Sequence, residues 1–203
     1  MQTILQLTAS LFGDNSQSSR LAGEFVQTLQ NLSNVKPGTS VITRDLASRP
    51  VPHLTAERFL ALNTPAEQRT LEQQRVVAES DALVDELKRA DVIVIGLPMY
   101  NFGVPSTLKA YFDHVARAGV TFRYTAGGPE GLLKGKKAYV FATRGGRYAG
   151  TPADLQTAYV RQFLGFIGIQ DVEFVYAEGL AMGAEHRDAA LRNAEARIEQ
   201  LAA

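Results

Sequence analysis

The chain has 203 residues, 45% of them hydrophobic, with 21 Lys+Arg against 21 Asp+Glu and no cysteine. A chain of this length can bury about 70% of the surface its unfolded form exposes, enough for one self-supporting domain over 1–203. Balanced charge leaves no broad field for a phosphate backbone or an anionic bilayer, so neither nucleic acid nor membrane is expected as a partner. The missing thiol removes disulfides, thiolate metal sites, iron–sulfur clusters and thiol redox chemistry together, and redox work must rest on a bound cofactor.

The opening MQTILQLTAS lacks a basic leader and reads as a first strand, with a cytoplasmic protein expected. No apolar run approaches the roughly 20 residues of a membrane helix. Strands are predicted at 3–7, 40–43, 92–97, 138–142 and 172–176, and the near-continuous Val/Ile of the third argues for burial on both faces, as in a parallel sheet. After Ser16, Leu21, Phe25, Leu29 and Leu32 form one helical stripe. Residues 67–89 are helical in one or two pieces. Pro105 opens a helix carrying Leu108, Tyr111, Phe112 and Val115, and Pro152 another carrying Leu155, Tyr159, Phe163 and Phe166. A last helix runs from about residue 185 through Leu191, Ala194, Ile198 and Leu201. Alternating strand and helix in this length predicts an α/β, doubly wound five-stranded parallel sheet of order 2-1-3-4-5, with ligands bound beyond the carboxyl ends of its strands. Two long excursions, 47–65 and 119–135, are candidate walls of a site.

Three loops at strand carboxyl ends should carry the chemistry. The first, from Ser10 to Ser19, runs straight into a helix, whose unpaired N–H groups and positive dipole end suit an anion; Ser10, Ser16 and Ser18 add hydroxyls. The competing reading makes Ser16 a simple N-cap. Neither GxGxxG nor GxxxxGK[ST] is present, so a mononucleotide is favoured over a dinucleotide or a hydrolysed triphosphate. The second loop, Pro98-Met-Tyr-Asn-Phe-Gly-Val-Pro105, can hold a flat ring, with Met99, Tyr100 and Phe102 in apolar contact and Asn101 donating to a ring carbonyl. Thr143-Arg144-Gly145-Gly146 closes the fourth strand, where paired glycines let backbone N–H groups approach developing negative charge. His53, His114 and His186 have no metal-ligand spacing and read as structural or surface residues; no metal site is expected.

SxxxxxSQS at 10–18, PMYNF at 98–102, ARAGVTFRYTxxGPEGL at 116–132, RGG at 144–146 and FLGFIGI at 163–169 together resemble the bacterial FMN-dependent NADH-azoreductases, flavodoxin-like quinone reductases. The resemblance spans nearly the whole chain; it is weaker over 51–68. It implies a homodimer with one tightly bound FMN per subunit near the interface, NADH or NADPH as donor, and small quinone or azo acceptors. By carry-over, Ser10, Ser16, Gln17 and Ser18 hold the phosphate and ribityl chain, while Met99, Tyr100, Asn101, Phe102, Thr143, Arg144, Gly145 and Gly146 hold the isoalloxazine. Tyr124 and Phe166 wall the substrate site, partly across the dimer. Phe166 equally fits a core position in its own helical stripe. Thr143 stands where serine also occurs in the family and keeps the hydroxyl.

The implied reaction passes hydride from the nicotinamide to the flavin and then to an acceptor in the same slot, a ping-pong sequence in which no acid–base side chain is obligatory. Arg144 is a candidate for the nicotinamide nucleotide's phosphate. Rival readings are a flavodoxin-type electron carrier, disfavoured by the neutral charge and the aromatic excursion, and an FMN-dependent nitro- or chromate reductase.

Overall fold

The computed structural model describes residues 2–31 and 38–202. Its main sheet joins β1 (Thr3–Thr8), β2 (Ser40–Asp45), β3 (Val92–Pro98), β6 (Lys137–Thr143) and β7 (Asp171–Ala177), all parallel, in the order β2-β1-β3-β6-β7. This is the predicted 2-1-3-4-5 arrangement, since two short strands, β4 (Phe122–Thr125) and β5 (Gly128–Gly131), form a separate antiparallel hairpin within the second excursion. The helices are α1 (Gln17–Asn31), α2 (Ala56–Asn63), α3 (Leu71–Arg89), α4 (Ser106–Val115), α5 (Leu155–Ile167) and α6 (Ala184–Ala202). Leu32, the last residue of the predicted stripe, lies outside the described residues.

Alternation along β3 shows why the layers form. Val92 and Val94 face one cluster with Leu21, Phe25 and Val26 of α1 and Ala194 and Ile198 of α6. Ile93, Ile95 and Leu97 face the other, with Leu83 and Leu87 of α3, Leu108, Phe112 and Val115 of α4 and Val160 and Leu164 of α5. Every residue of β3 is buried, which explains its continuous apolar run. Each large side chain so buried contributes about 1.5–3 kcal/mol. Helix ends are specified locally. Thr70 and Gln73 form a reciprocal capping box on α3, and Asp154 accepts from the Thr157 N–H at the start of α5. Gly168 ends α5 in the left-handed region at φ 109°, where a side chain would collide with the backbone of residues 131–133.

The two excursions are less irregular than the sequence suggested. The first contains α2, N-capped by Thr55 and packed on α3 through an Arg58–Glu79 ion pair. The second contains the β4–β5 hairpin, tied to the body by Leu132 N–H to Thr121 O and Leu133 N–H to Ile167 O.

Candidate active site

The carboxyl end of the sheet gathers the three predicted loops. Ser10 follows β1, and a single turn of 3-10 helix leads to Ser16, whose Oγ accepts from the Ser19 N–H at 3.1 Å. Ser16 therefore caps α1, as the competing reading had it. Its oxygen is already accepting, so its own proton remains to be donated, either to Ser18 Oγ at 3.1 Å or outward. Gly96 sets how closely this end approaches the sheet. A Cβ there would lie 2.9 Å from the Ser18 carbonyl oxygen.

The second loop is bound to the first by Tyr100. Its hydroxyl accepts from the Leu11 N–H at 3.0 Å and lies 3.3 Å from Ser10 Oγ. Tyr100 and Gly103 exchange both backbone hydrogen bonds, and Asn101 and Phe102 between them have φ of 49° and 66°. A two-residue hairpin with both central residues left-handed suits Asn but not Phe, for which the conformation costs about 1–2 kcal/mol. The Phe102 ring is half exposed, edge-on to Tyr148 at 5.7 Å between centroids.

Two adjoining cavities result. One, of about 200 Å³, is lined by Ser10, Phe12, Asn15, Ser16 and Gln17 and then by Met99, Tyr100, Thr143, Arg144 and Gly145. The other, of about 230 Å³, is lined by Met99, Asn101, Phe102, Gly145, Gly146 and Tyr148. They share Met99 and Gly145, so they form one trough from the α1 N-terminus to the glycine pair. Among the described side chains, no Asp or Glu lines either. Hydroxyl and N–H donors at one end and a flat, glycine-floored, aromatic-edged slot at the other fit a phosphate joined to a planar ring.

Of the predicted trough residues, only Ser18 is missing from the lining; it is fully buried under Ser16. Arg144 takes part through its main chain alone. Its side chain is 0% exposed: Nη1 is 3.0 Å from Glu178 Oε1, Nη2 is 2.8 Å from Asp154 Oδ1 and 2.9 Å from Thr157 Oγ1, and the guanidinium lies 5.0 Å from the Tyr176 ring centroid. A guanidinium so enclosed is not available to a nucleotide's phosphate. Burial alone would raise the Asp154 carboxyl, but hydrogen bonds from Arg144 and Thr157 and the Arg144 charge hold it below its ordinary 3.8. Phe12, Asn15, Tyr148 and Leu180 line the trough without having been singled out; position within or beside the three loops was the only signal for the first three, and Leu180, beyond β7, had none.

Tyr124 and Phe166 are not part of this trough. Tyr124, 75% exposed, stands edge-on to Phe122 and lines a separate cavity of about 360 Å³ with Leu54, Phe59 and Leu62 of the first excursion. Phe166 is half-buried, its ring 4.3 Å from that of Phe122 and packed on the core. The histidines are elsewhere. His114 is fully buried, its Nε2–H donating to Pro52 O at 3.0 Å, and burial, reinforced by the Arg58 charge, pushes its pKa below 6.5. His53 is exposed and His186 meets Arg147 at 3.2 Å. Among the described residues, no group of three or more His, Asp or Glu is placed to hold a metal ion, and no helix is long and apolar enough to cross a membrane.

The family model for the flavodoxin-like fold matches residues 2–202. FMN-dependent NADH:quinone oxidoreductases of Cellvibrio japonicus and Burkholderia thailandensis are 55% and 56% identical, each alignment covering 98% of both chains. The chain belongs to this family. Among solved structures, an azoreductase from Bacillus anthracis str. Sterne superposes with a TM-score of 0.89 at 26% identity, covering 100% of this chain and 99% of that one. An FMN-dependent NADH-azoreductase from Bacillus anthracis str. Ames Ancestor, solved in complex with FMN, gives 0.86 at 27% identity, with full coverage of both.

Proposed function

We propose that this chain is an FMN-dependent NADH:quinone oxidoreductase that also cleaves aromatic azo compounds, with the flavin lying along the trough from Ser10 to Gly146. The observation that carries this reading is the continuity of the two cavities through Met99 and Gly145, with the serine hydroxyls and the α1 N-terminus at one end only. Held there, FMN would supply the two-electron chemistry between NADH and the acceptor. The chain's own residues bind and orient. Ser10, Ser16, Gln17 and the free N–H groups opening α1 hold the phosphate, with Ser18 supporting Ser16 from below. Met99, Tyr100, Asn101 and Phe102 would grip one edge of the ring, and Thr143, Arg144, Gly145 and Gly146 would line the other, where the glycine pair offers its N–H groups while that of Arg144 is already given to Ala177 O. No side chain is needed as a general acid or base.

The working form is a cytoplasmic homodimer. Two of the trough's own lining side chains are large, apolar and exposed, Phe12 at 66% and Phe102 at 52%, and this supports a face that is covered in use. Tyr124 and Phe166, displaced from the trough of their own subunit, would wall the trough of the other.

Three measurements test the proposal. Heat-released cofactor should run as FMN on chromatography, and FAD in its place would overturn the reading of the first loop. Light scattering should give a dimer. Steady-state rates with NADH and a quinone, without any partner protein, should yield parallel double-reciprocal lines; intersecting lines would exclude a shared slot for donor and acceptor.

A further inference from the structure

Gln156, in the first turn of α5, is 1% exposed and lies outside every motif that pointed to the site. Its Nε2 is 2.9 Å from Pro98 O and 3.1 Å from Gly103 O. Both partners are carbonyls, so the contacting atom must be the amide nitrogen, and its two protons are divided between them. Those carbonyls are the two necks of the loop that carries Met99, Tyr100, Asn101 and Phe102. Between them lie Asn101 and Phe102, the two non-glycine residues with positive φ among those described. Gly103 O already accepts from Tyr100 N–H, the bond that closes the hairpin. The Gln156 Oε1, also buried, has no protein partner, so the side chain is held for what its nitrogen donates.

We propose that Gln156 is a positioning residue for the flavin: its amide clamps both necks of the 98–103 loop and keeps the strained hairpin in the ring-binding conformation before the cofactor arrives. The inference rests on the FMN reading of the trough. A loop with an unfavourable left-handed Phe102 relaxes when its clamp is removed, the binding-competent fraction falls, and the apparent dissociation constant rises by the same factor. Once FMN is bound at saturation the loop is ordered again, so turnover recovers while affinity does not.

The experiment is FMN titration of the apoprotein, followed by quenching of flavin fluorescence, for wild type, Gln156→Met, Phe102→Gly and the double variant, with far-UV circular dichroism of each apoprotein. Methionine keeps the volume and loses both donors. Gln156→Met should raise the FMN dissociation constant roughly ten-fold, the effect of leaving a buried carbonyl unpaired, with kcat at saturating FMN within two-fold of wild type, a ratio roughly set by the ordered loop being the same in both. Because glycine removes the strain at position 102, the factor caused by Gln156→Met should shrink in the Phe102→Gly background. An unchanged dissociation constant, or the same factor in both backgrounds, overturns the clamp. Should Gln156→Met fail to fold, Gln156→Glu serves. Its protonated carboxyl can still donate one bond, whereas its carboxylate repels both carbonyls, so FMN affinity relative to wild type should fall as pH rises. A ratio independent of pH overturns the proposal equally. Wild-type apoprotein that takes up no FMN would instead overturn the cofactor reading, and the clamp with it.

Discussion

Replacing Arg144 separates two roles that an arginine beside a glycine pair can play. In the structure its guanidinium holds Asp154, 7% exposed, and Glu178, 16% exposed, and both would remain as buried carboxylates in Arg144→Ala. Glu178 Oε1 also accepts from the N–H groups of Tyr148 and Ala149 at 2.8 and 2.9 Å, so it would lose one donor of three. Asp154 would keep only its bonds at the start of α5. Removing one partner of a buried pair costs about 3–5 kcal/mol. In a domain of this size each kcal/mol moves the melting temperature by roughly 2–4 °C, so a fall of about 6–20 °C is expected. Arg144→Lys should recover little, because one ammonium cannot span Asp154 and Glu178 while stacking on Tyr176. The assay pairs thermal unfolding, followed by circular dichroism, with steady-state kinetics in NADH. A variant with unchanged melting and a raised KM for NADH would refute this account and return Arg144 to the nucleotide's phosphate.

Gly96→Ala should force the α1 N-terminus off β3, since the new methyl would lie 2.9 Å from the Ser18 carbonyl; a stability loss of about 1–3 kcal/mol and weaker FMN binding are expected from denaturant titration and fluorescence quenching. His114 is held neutral in the fold, its pKa below the ordinary 6.5, so the unfolded chain binds the extra proton: stability is full above that value and falls as pH drops beneath it. Urea midpoints should fall between about pH 7 and about pH 5 in wild type and stay flatter in His114→Gln. Phe166→Ala should raise the KM for quinone while leaving FMN bound, at a folding cost of about 1–3 kcal/mol, below the loss for full burial because the ring is half-exposed. Unchanged quinone kinetics with lowered stability would make Phe166 a packing residue only.

What could be read from the sequence divides along the line between local and distant causes. The inner sheet strands were legible because burial on both faces leaves an apolar run whatever surrounds it, the edge strands β2 and β7, less buried, through shorter β-branched and aromatic runs, and the structure extends each of the five by only one or two residues. The β4–β5 hairpin was not. Its pairing joins Phe122 to Gly131 and Tyr124 to Pro129 with no alternation of apolar and polar residues to announce it, and Pro and Gly within a strand argue against one. Helix α2 was hidden for a related reason. Its exposed Phe59 and Leu60 make no inward stripe, and its one buried residue is Ala61.

The site shows the same division at finer grain. Loop positions after β1, β3 and β6 could be placed because a doubly wound sheet brings the carboxyl ends of its inner strands to one crevice, whatever the side chains. Which way a side chain turns within such a loop depends on partners that are distant in sequence. Arg144 turns inward because Glu178, from the end of β7, and Asp154, capping α5, lie beneath it and together offset its charge. Ser18 turns inward because Gly96 lets the helix end settle onto β3. Gln156 carries no motif at all; what gives it meaning is the pair of carbonyls, five residues apart, that topology brings within reach of its amide. The sequence therefore identifies the chemistry of the trough through its backbone-borne motifs, while its shape is held by buried polar residues that only the assembled fold reveals.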